Sequence, residues 1–337
     1  MELRNVVACV APDLVGLDES YAMQVLMLPG ANVRDGGPLL AVSVSCGLIT
    51  LYSVPDLKPQ GKLQGHECSV ERMCRSDALP TMLFSCDAAA GHGQVVRWDL
   101  TSQDAVSQYD VPGDKFAVDV DPSGRVLGTA SVGGVYVSDV SSGKLELSLR
   151  EEFPKSAEVV DVKFHPCREL CLFALSDDLI YGYECHPGAD PEDCCVLAIN
   201  NEISCNGFGF FGKDGNLMYT KGTDSVSVWD LTTEDRVAQF TDLLEGASNL
   251  LEGAEISYLV DCQGAVNSSE LFVLFGNWGG DLLMVAIDVA SESITPVCAL
   301  SGGHSGTVRS FVYLPEERTL ITVGEDSNIC LWSEPQL

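Results

Sequence analysis

Gly303-His304, Val308-Arg309-Ser310-Phe311, Leu320-Ile321-Thr322, Gly324-Glu325-Asp326 and Ile329-Cys330-Leu331-Trp332 follow one another near the end of the chain. The apolar, β-branched runs read as short strands, and the Gly-Glu-Asp between the last two reads as a tight turn. Shorter echoes lie upstream: Gly65-His66 followed by Val96-Arg97-Trp98-Asp99, and Val228-Trp229-Asp230. A small sheet of this kind cannot bury its faces alone. Repetition along a chain therefore implies units stacked side by side.

Working outward, third-strand positions fall near Tyr52, Trp98, Ser138, Tyr183, Trp229, Ala286 and Trp332, most of them spaced in the forties. The longer gap before Ala286 is assigned to loops around 244–253 and 263–269. The units are placed at about 20–54, 63–100, 114–140, 157–184, 202–231, 254–289 and 300–333, all within one domain spanning 1–337. Each reads as a meander of four strands with the fourth the weakest. No sustained helical stripe is present, and Asp242 to Glu252 is the best candidate for a short helix. The last unit stops after a third strand. The apolar run within residues 5–10 is expected to supply its outer strand and close the ring, removing the sheet edges that would otherwise aggregate.

Composition narrows the function classes. The chain has 337 residues, 46% of them apolar and only 20% charged, which suits a large core and excludes global disorder. Acidic residues outnumber basic ones 49 to 19, for a formal charge of −30. Such a surface repels nucleic acid and anionic lipid and attracts basic proteins, although the same surplus also serves solubility alone. The 14 cysteines show no disulfide framework, and several sit inside apolar strand runs. The first residues lack a signal-peptide pattern and no apolar run reaches membrane-spanning length, so a reducing compartment, cytoplasm or nucleus, is expected.

The repeat residues resemble WD40-repeat propellers, with the seventh unit following the family pattern at nearly every position and the likeness extending over nearly the whole chain. The resemblance implies an all-β, seven-bladed β-propeller. It also implies a buried hydrogen-bonded relay of His304, Thr322, Asp326 and Trp332, with His66 and Ser85 serving Trp98 likewise. The chemistry agrees: Trp offers one N–H, His bridges a donor and an acceptor, and Asp ends the series. The insertion Ala88-Ala89-Ala90-Gly91-His92-Gly93 displaces the second unit's Asp, leaving Asp87 outside the expected relay. The remaining units, lacking the His or the Trp, are expected to rely on apolar packing.

His304 and Asp326 could pass for part of a catalytic set with Ser305 or Ser327, but both occupy repeat positions. No nucleophile elbow, phosphate loop or dinucleotide fingerprint accompanies them. Cys185, His186, Cys194 and Cys195 form the one cluster with metal-ligand types. The adjacent Cys194-Cys195 pair and the missing second Cys pair favour a loop of free thiols over zinc. Pro187 to Asp193 reads as an exposed acidic loop. Arg72, Arg97 and Arg309 stand out because cations are scarce. Arg72 and Arg309 follow the His of their units by similar distances, and the resemblance places them near a channel mouth, as partner contacts or as partners of local acids. Trp278, in Gly276-Asn277-Trp278-Gly279-Gly280, is an anchor for a partner or folds over its own sheet edge.

The expected function is a non-catalytic scaffold or adaptor with no cofactor and no metal, recognising protein or peptide partners, basic ones in keeping with the charge. Family analogy points to nuclear or ribosome-related work, without direct nucleic-acid or membrane binding, by a monomeric propeller within a complex. A structural subunit of a stable assembly is the alternative. A hydrolase with a site in the channel is the third reading.

Overall fold

Short β-branched runs punctuated by Gly, Asp, Asn and Ser form strands of four to nine residues in the computed structural model of the chain. The structure describes residues 6–10, 20–29, 37–87, 92–112, 117–131, 134–149, 158–175, 178–184, 190–250 and 255–333. Phe116, expected to open the third unit, lies outside them. The strands make seven antiparallel sheets of four. The innermost strands are Ala22–Leu28, Val70–Cys74, Ala117–Val120, Val159–Phe164, Gly207–Phe211, Tyr258–Gly264 and Val308–Leu314. Each touches its two neighbours, and the seventh touches the first, so the blades form a closed ring.

Closure is made by the chain's two ends. Val6–Val10 pairs with Asn328–Ser333 in unbroken register, from Val6 opposite Trp332 to Val10 opposite Asn328. The last blade thus takes its outer strand from the start of the chain.

What holds the ring is buried between blades. Seven apolar clusters occupy the seven interfaces. The cluster joining the last blade to the first sets Ile321, Val323, Ile329 and Leu331 against Ala22, Val25, Leu40 and Val42. Each of the larger aliphatic side chains contributes roughly 1.5–3 kcal/mol on burial, most of it offset by chain entropy.

Side chains also stitch innermost strands that diverge too far for a backbone ladder. Gln24 accepts the Met73 N–H at 2.6 Å and donates to the Met73 carbonyl at 3.3 Å. Gln263 does the same for Tyr313, at 2.8 and 2.7 Å. A primary amide has the donor and acceptor of a peptide group, so each glutamine serves as one rung between blades. Asp119 accepts the Phe164 N–H at 2.8 Å at another junction.

Five innermost strands carry a bulge near their first residues, where the pairing skips Met23, Glu71, Val160, Val260 or Arg309. A bulge bends its strand and re-aims the next side chain. The residues that follow, Gln24, Arg72, Asp161, Asp261 and Ser310, all line the central channel. The helix Leu243–Leu250 falls within the stretch expected to be helical. Asp224 holds its start by accepting the Leu244 N–H at 2.5 Å. Among the described residues no helix is long and apolar enough to cross a membrane.

Removing residues 1–10 is expected to leave the outer edge of Asn328–Ser333 unpaired and to convert the protein to self-associating species. Sedimentation velocity checks this: a truncated chain that stays monomeric and melts like the full one would show that the first strand does not close the ring.

Candidate functional site

The relay of the seventh blade is continuous. Trp332 donates its indole N–H to Thr322 Oγ1 at 2.8 Å, and the Thr322 hydroxyl lies 2.7 Å from His304 Nε2. His304 Nδ1 lies 3.0 Å from Asp326 Oδ1. Because the Thr oxygen accepts from Trp332, its proton goes to Nε2, which places the imidazole proton on Nδ1, facing the carboxylate. Asp326 also accepts the N–H groups of Ser305 at 2.7 Å and Asn328 at 3.1 Å. Burial works against its ionisation, but the bonds from His304 and these amides outweigh it and bring the carboxyl down to about 2. Gly303 lies so close to the Trp332 ring that a Cβ there would sit 2.5 Å from it, which explains the glycine before the histidine.

The second blade repeats the arrangement with Ser for Thr: Trp98 Nε1 to Ser85 Oγ at 2.7 Å, and Ser85 Oγ to His66 Nε2 at 2.6 Å. Asp87, left out of the expected relay, lies 3.1 Å from His66 Nδ1. The contact is short but poorly directed, and the ring nitrogen has no well-aligned acceptor. Asp87 also accepts the N–H of Gln94, which follows the insertion, at 2.8 Å. Burial, only partly countered by Asp87, shifts the His66 pKa down.

The fifth blade departs from the expectation of apolar packing alone. Asn201 takes the histidine's place, its Oδ1 accepting from both Trp229 Nε1 and Thr220 Oγ1 at 2.9 Å. Its amide donates to the Ile203 carbonyl at 2.7 Å. An Asn six residues before the strand Gly207–Phe211 carries no motif, so the sequence held no signal for it.

These networks leave no serine poised beside a free base. Ser327 donates its hydroxyl to the Ser20 carbonyl at 2.6 Å, and both His304 nitrogens are engaged. Cys185 and His186 lie outside the described residues. Cys194 is buried and donates to the Asp190 carbonyl, while Cys195 is exposed. Among the described residues no three His, Cys, Asp or Glu side chains gather as a metal cluster.

Arg72 and Arg309 both line a cavity of about 150 Å³ at the ring's centre, together with Lys163, Lys221, Asp161 and Asp261. Lys221 Nζ lies 2.5 Å from Asp261 Oδ1. Burial would raise the Asp261 pKa, but Lys221 and the nearby Arg72 hold it low. Asp161 holds the Lys163 pKa high against burial. Burial pushes Asp119 up to about 6 despite Lys163. Among the described residues the Arg72 side chain makes no hydrogen bond or ion pair, whereas Arg309 is paired with Glu325. Arg97 is turned away from the channel and donates to the Val140 carbonyl of the next blade at 3.3 Å.

Trp278 differs from the other three tryptophans. They are buried, and it is 66% exposed. Its loop is rigid: Asn277 Oδ1 accepts the N–H groups of Gly279 and Asp281 at 3.0 and 2.9 Å. One edge of the indole rests on Tyr258, with ring centroids 4.9 Å apart. Tyr258 in turn accepts the Val308 N–H of the seventh blade at 2.8 Å. Gly280 (φ 90°) turns this hairpin directly under His304, where a Cβ would meet the histidine carbonyl at 2.4 Å. The exposed ring therefore stands on the junction of the sixth and seventh blades, with Tyr258 between it and Val308.

Comparisons with known proteins agree with this geometry. Residues 295–333 match the family described as WD40: WD domain, G-beta repeat. The chain is 26% identical over 326 residues to WD repeat-containing protein 89 homolog of Dictyostelium discoideum, covering 95% of this chain and 85% of that one. The crystal structure of the RRP9 WD40 repeats superposes with a TM-score of 0.72 at 14% identity, covering 93% of this chain and 94% of that one. The structure of U3-55K gives 0.75 at 13% identity, covering 98% and 99%. These low-identity likenesses speak for the fold.

Trp332→Ala is expected to cost about 3–5 kcal/mol, and Thr322→Val about 1–3 kcal/mol by stranding the indole N–H and the imidazole. Urea unfolding checks both, and a loss below 1 kcal/mol for either, on the order of a surface change, would refute a buried relay. The Asp326 pKa is depressed in the fold, so its contribution is complete above the ordinary value of 3.8 and is lost as pH falls towards about 2. Asp326→Asn should remove that part of the acid sensitivity, as read from stability compared across the window.

Proposed function

We propose that this WD40-type propeller is a non-catalytic adaptor whose rim, over the sixth and seventh blades, takes a basic segment of a protein client. The observation that carries the reading is Trp278, two-thirds exposed yet immobilised on Tyr258 by the Asn277 turn. An exposed aromatic ring on a rigid base loses little entropy on binding and presents a π face to a guanidinium or ammonium group. The formal charge of −30 would steer such a client from a distance, and steering of this kind fades as salt rises. Ribosomal and chromatin proteins carry segments of that chemistry. Work with them would place the protein in the nucleus, the cytoplasm or both.

A second reading, a structural subunit of a stable assembly, draws on the outer walls. Val106, Val196 and Val237 are the extra residues at bulges in three outermost strands and are 50%, 46% and 38% exposed. A neighbour packed on the walls would cover them.

Affinity capture at rising salt separates the two. The adaptor reading expects basic partners that dissociate between about 0.1 and 0.5 M salt. It also expects Trp278→Ala to weaken their binding about tenfold or more while leaving stability unchanged. One stoichiometric partner indifferent to both salt and Trp278→Ala would favour the structural subunit and overturn the adaptor.

A further inference from the structure

The cations around the central cavity come from separate blades: Arg72 from the second, Lys163 from the fourth, Lys221 from the fifth and Arg309 from the seventh. Four of the chain's 19 basic residues thus meet on one axis, and only two of its 49 acidic residues, Asp161 and Asp261, share the lining with them. We infer that this cavity is a binding site for one small tetrahedral oxyanion of the phosphate or sulfate type, held by the Arg72 guanidinium, the Lys163 ammonium and the Ser310 hydroxyl.

Both lining carboxylates are drawn to Lys221. A Cβ on Gly207 would meet Lys221 Cε at 3.1 Å and Asp161 Oδ2 at 3.5 Å, so the missing side chain lets the lysine pass from the second strand of its blade to the axis. There it reaches Asp261 at 2.5 Å, with Asp161 alongside. The two carboxylates also accept the N–H groups of Cys262 and Val162, at 2.8 and 3.0 Å. Arg309 is turned to Glu325, which lies outside the lining. Asp161 and, beyond the lining, Asp119 favour the charge on Lys163. Arg72 is left without a carboxylate in contact among the described residues. Its charge is felt by Lys163 of the fourth blade and Asp261 of the sixth, so its guanidinium reaches over the axis. Arg72 works against the Lys163 charge, and an anion between the two turns that repulsion into two attractions, in surroundings that screen charge less than open water. Ser310 accepts the Val25 N–H at 3.3 Å, which leaves its own proton to donate into the cavity.

Size and direction select the ligand. The cavity of about 150 Å³ holds roughly five waters at about 30 Å³ each. That is room for one tetrahedral oxyanion and a water or two, and too little for a nucleotide. Donors converging from the second, fourth and seventh blades suit oxygens that point in several directions better than the single plane of a carboxylate. A bound anion would tie three blades together across the axis and stabilise the ring by mass action. The site does not involve Trp278 and stands apart from the rim reading.

The test titrates the full chain with inorganic phosphate in chloride buffer at constant ionic strength, followed by calorimetry and by thermal melting. Saturable binding of one phosphate per chain is expected, with sulfate competing and acetate failing to compete. Phosphate and sulfate also stabilise proteins by exclusion from their surface, so the melting result is read as the difference between the native chain and Arg72→Gln. That variant breaks no side-chain bond of the fold. It should weaken phosphate binding tenfold or more, a change of about 1.4 kcal/mol or greater, and abolish the extra rise in Tm. Arg72→Lys keeps the charge without the planar fork and should fall between the two. Trp278→Ala should leave phosphate binding unchanged, so failure here and failure of the rim reading are told apart. The inference is overturned if no binding saturates by about 10 mM phosphate, weaker than a built site should be. It is equally overturned if Arg72→Gln, melting like the native chain in chloride, binds phosphate as tightly, or if acetate competes as well as sulfate.

Discussion

The antiparallel pairing of Val6–Val10 with Asn328–Ser333 is the constraint on which the rest of the molecule depends. A four-stranded blade has two faces to bury, and only a neighbour on each side can bury them. In an open stack the first and last blades would each keep one apolar face in water. Here the cluster of Ile321, Val323, Ile329 and Leu331 against Ala22, Val25, Leu40 and Val42 is the same kind of interface as the other six. Its existence requires that the last blade be complete and that the chain return to where it began. Once it does, every innermost strand has two partners, and a central channel is an unavoidable consequence.

Within blades, one physical problem receives several chemical answers. A large indole fills the gap between strands and brings an N–H that has to be satisfied. In the second and seventh blades a hydroxyl and a histidine satisfy it, and in the seventh a carboxylate fixes the histidine tautomer. In the fifth blade a single asparagine carbonyl accepts from the indole and from Thr220 at once, and no imidazole is needed. Geometry is retained while the residues change. The same holds between blades, where Gln24, Gln263 and Asp119 each supply side-chain bonds that a divergent backbone cannot make.

Charge is sorted by the fold in a way its total hides. The surplus of acid is spread over the surface, while Arg72, Lys163, Lys221 and Arg309 gather around one small cavity with Asp161 and Asp261 between them. Bulges near the starts of the innermost strands bring Arg72, Asp161 and Asp261 to that axis. The cavity's lining therefore carries more cations than carboxylates inside a chain that is strongly acidic as a whole. On the rim stands a fixed aromatic ring, Trp278 on Tyr258.

The sequence by itself determined the all-β class, the sevenfold repeat, the closing strand near residues 5–10 and the short helix after Asp242. Each rests on local signals, β-branched runs, turn residues and a repeated Trp-Asp or Gly-His, that act over a few positions. It also singled out Trp278, because an aromatic in a glycine-rich hairpin is conspicuous without any structure. Only the tertiary structure decided that Asp87 reaches His66 across an insertion and that Asn201 stands in for a histidine. It alone gathered Lys163, Lys221, Asp161 and Asp261 around the same cavity as Arg72. Those relations join residues from different strands or blades, and a chain without a Lys/Arg run gives no local trace of a cluster that forms only when separate strands meet around one axis.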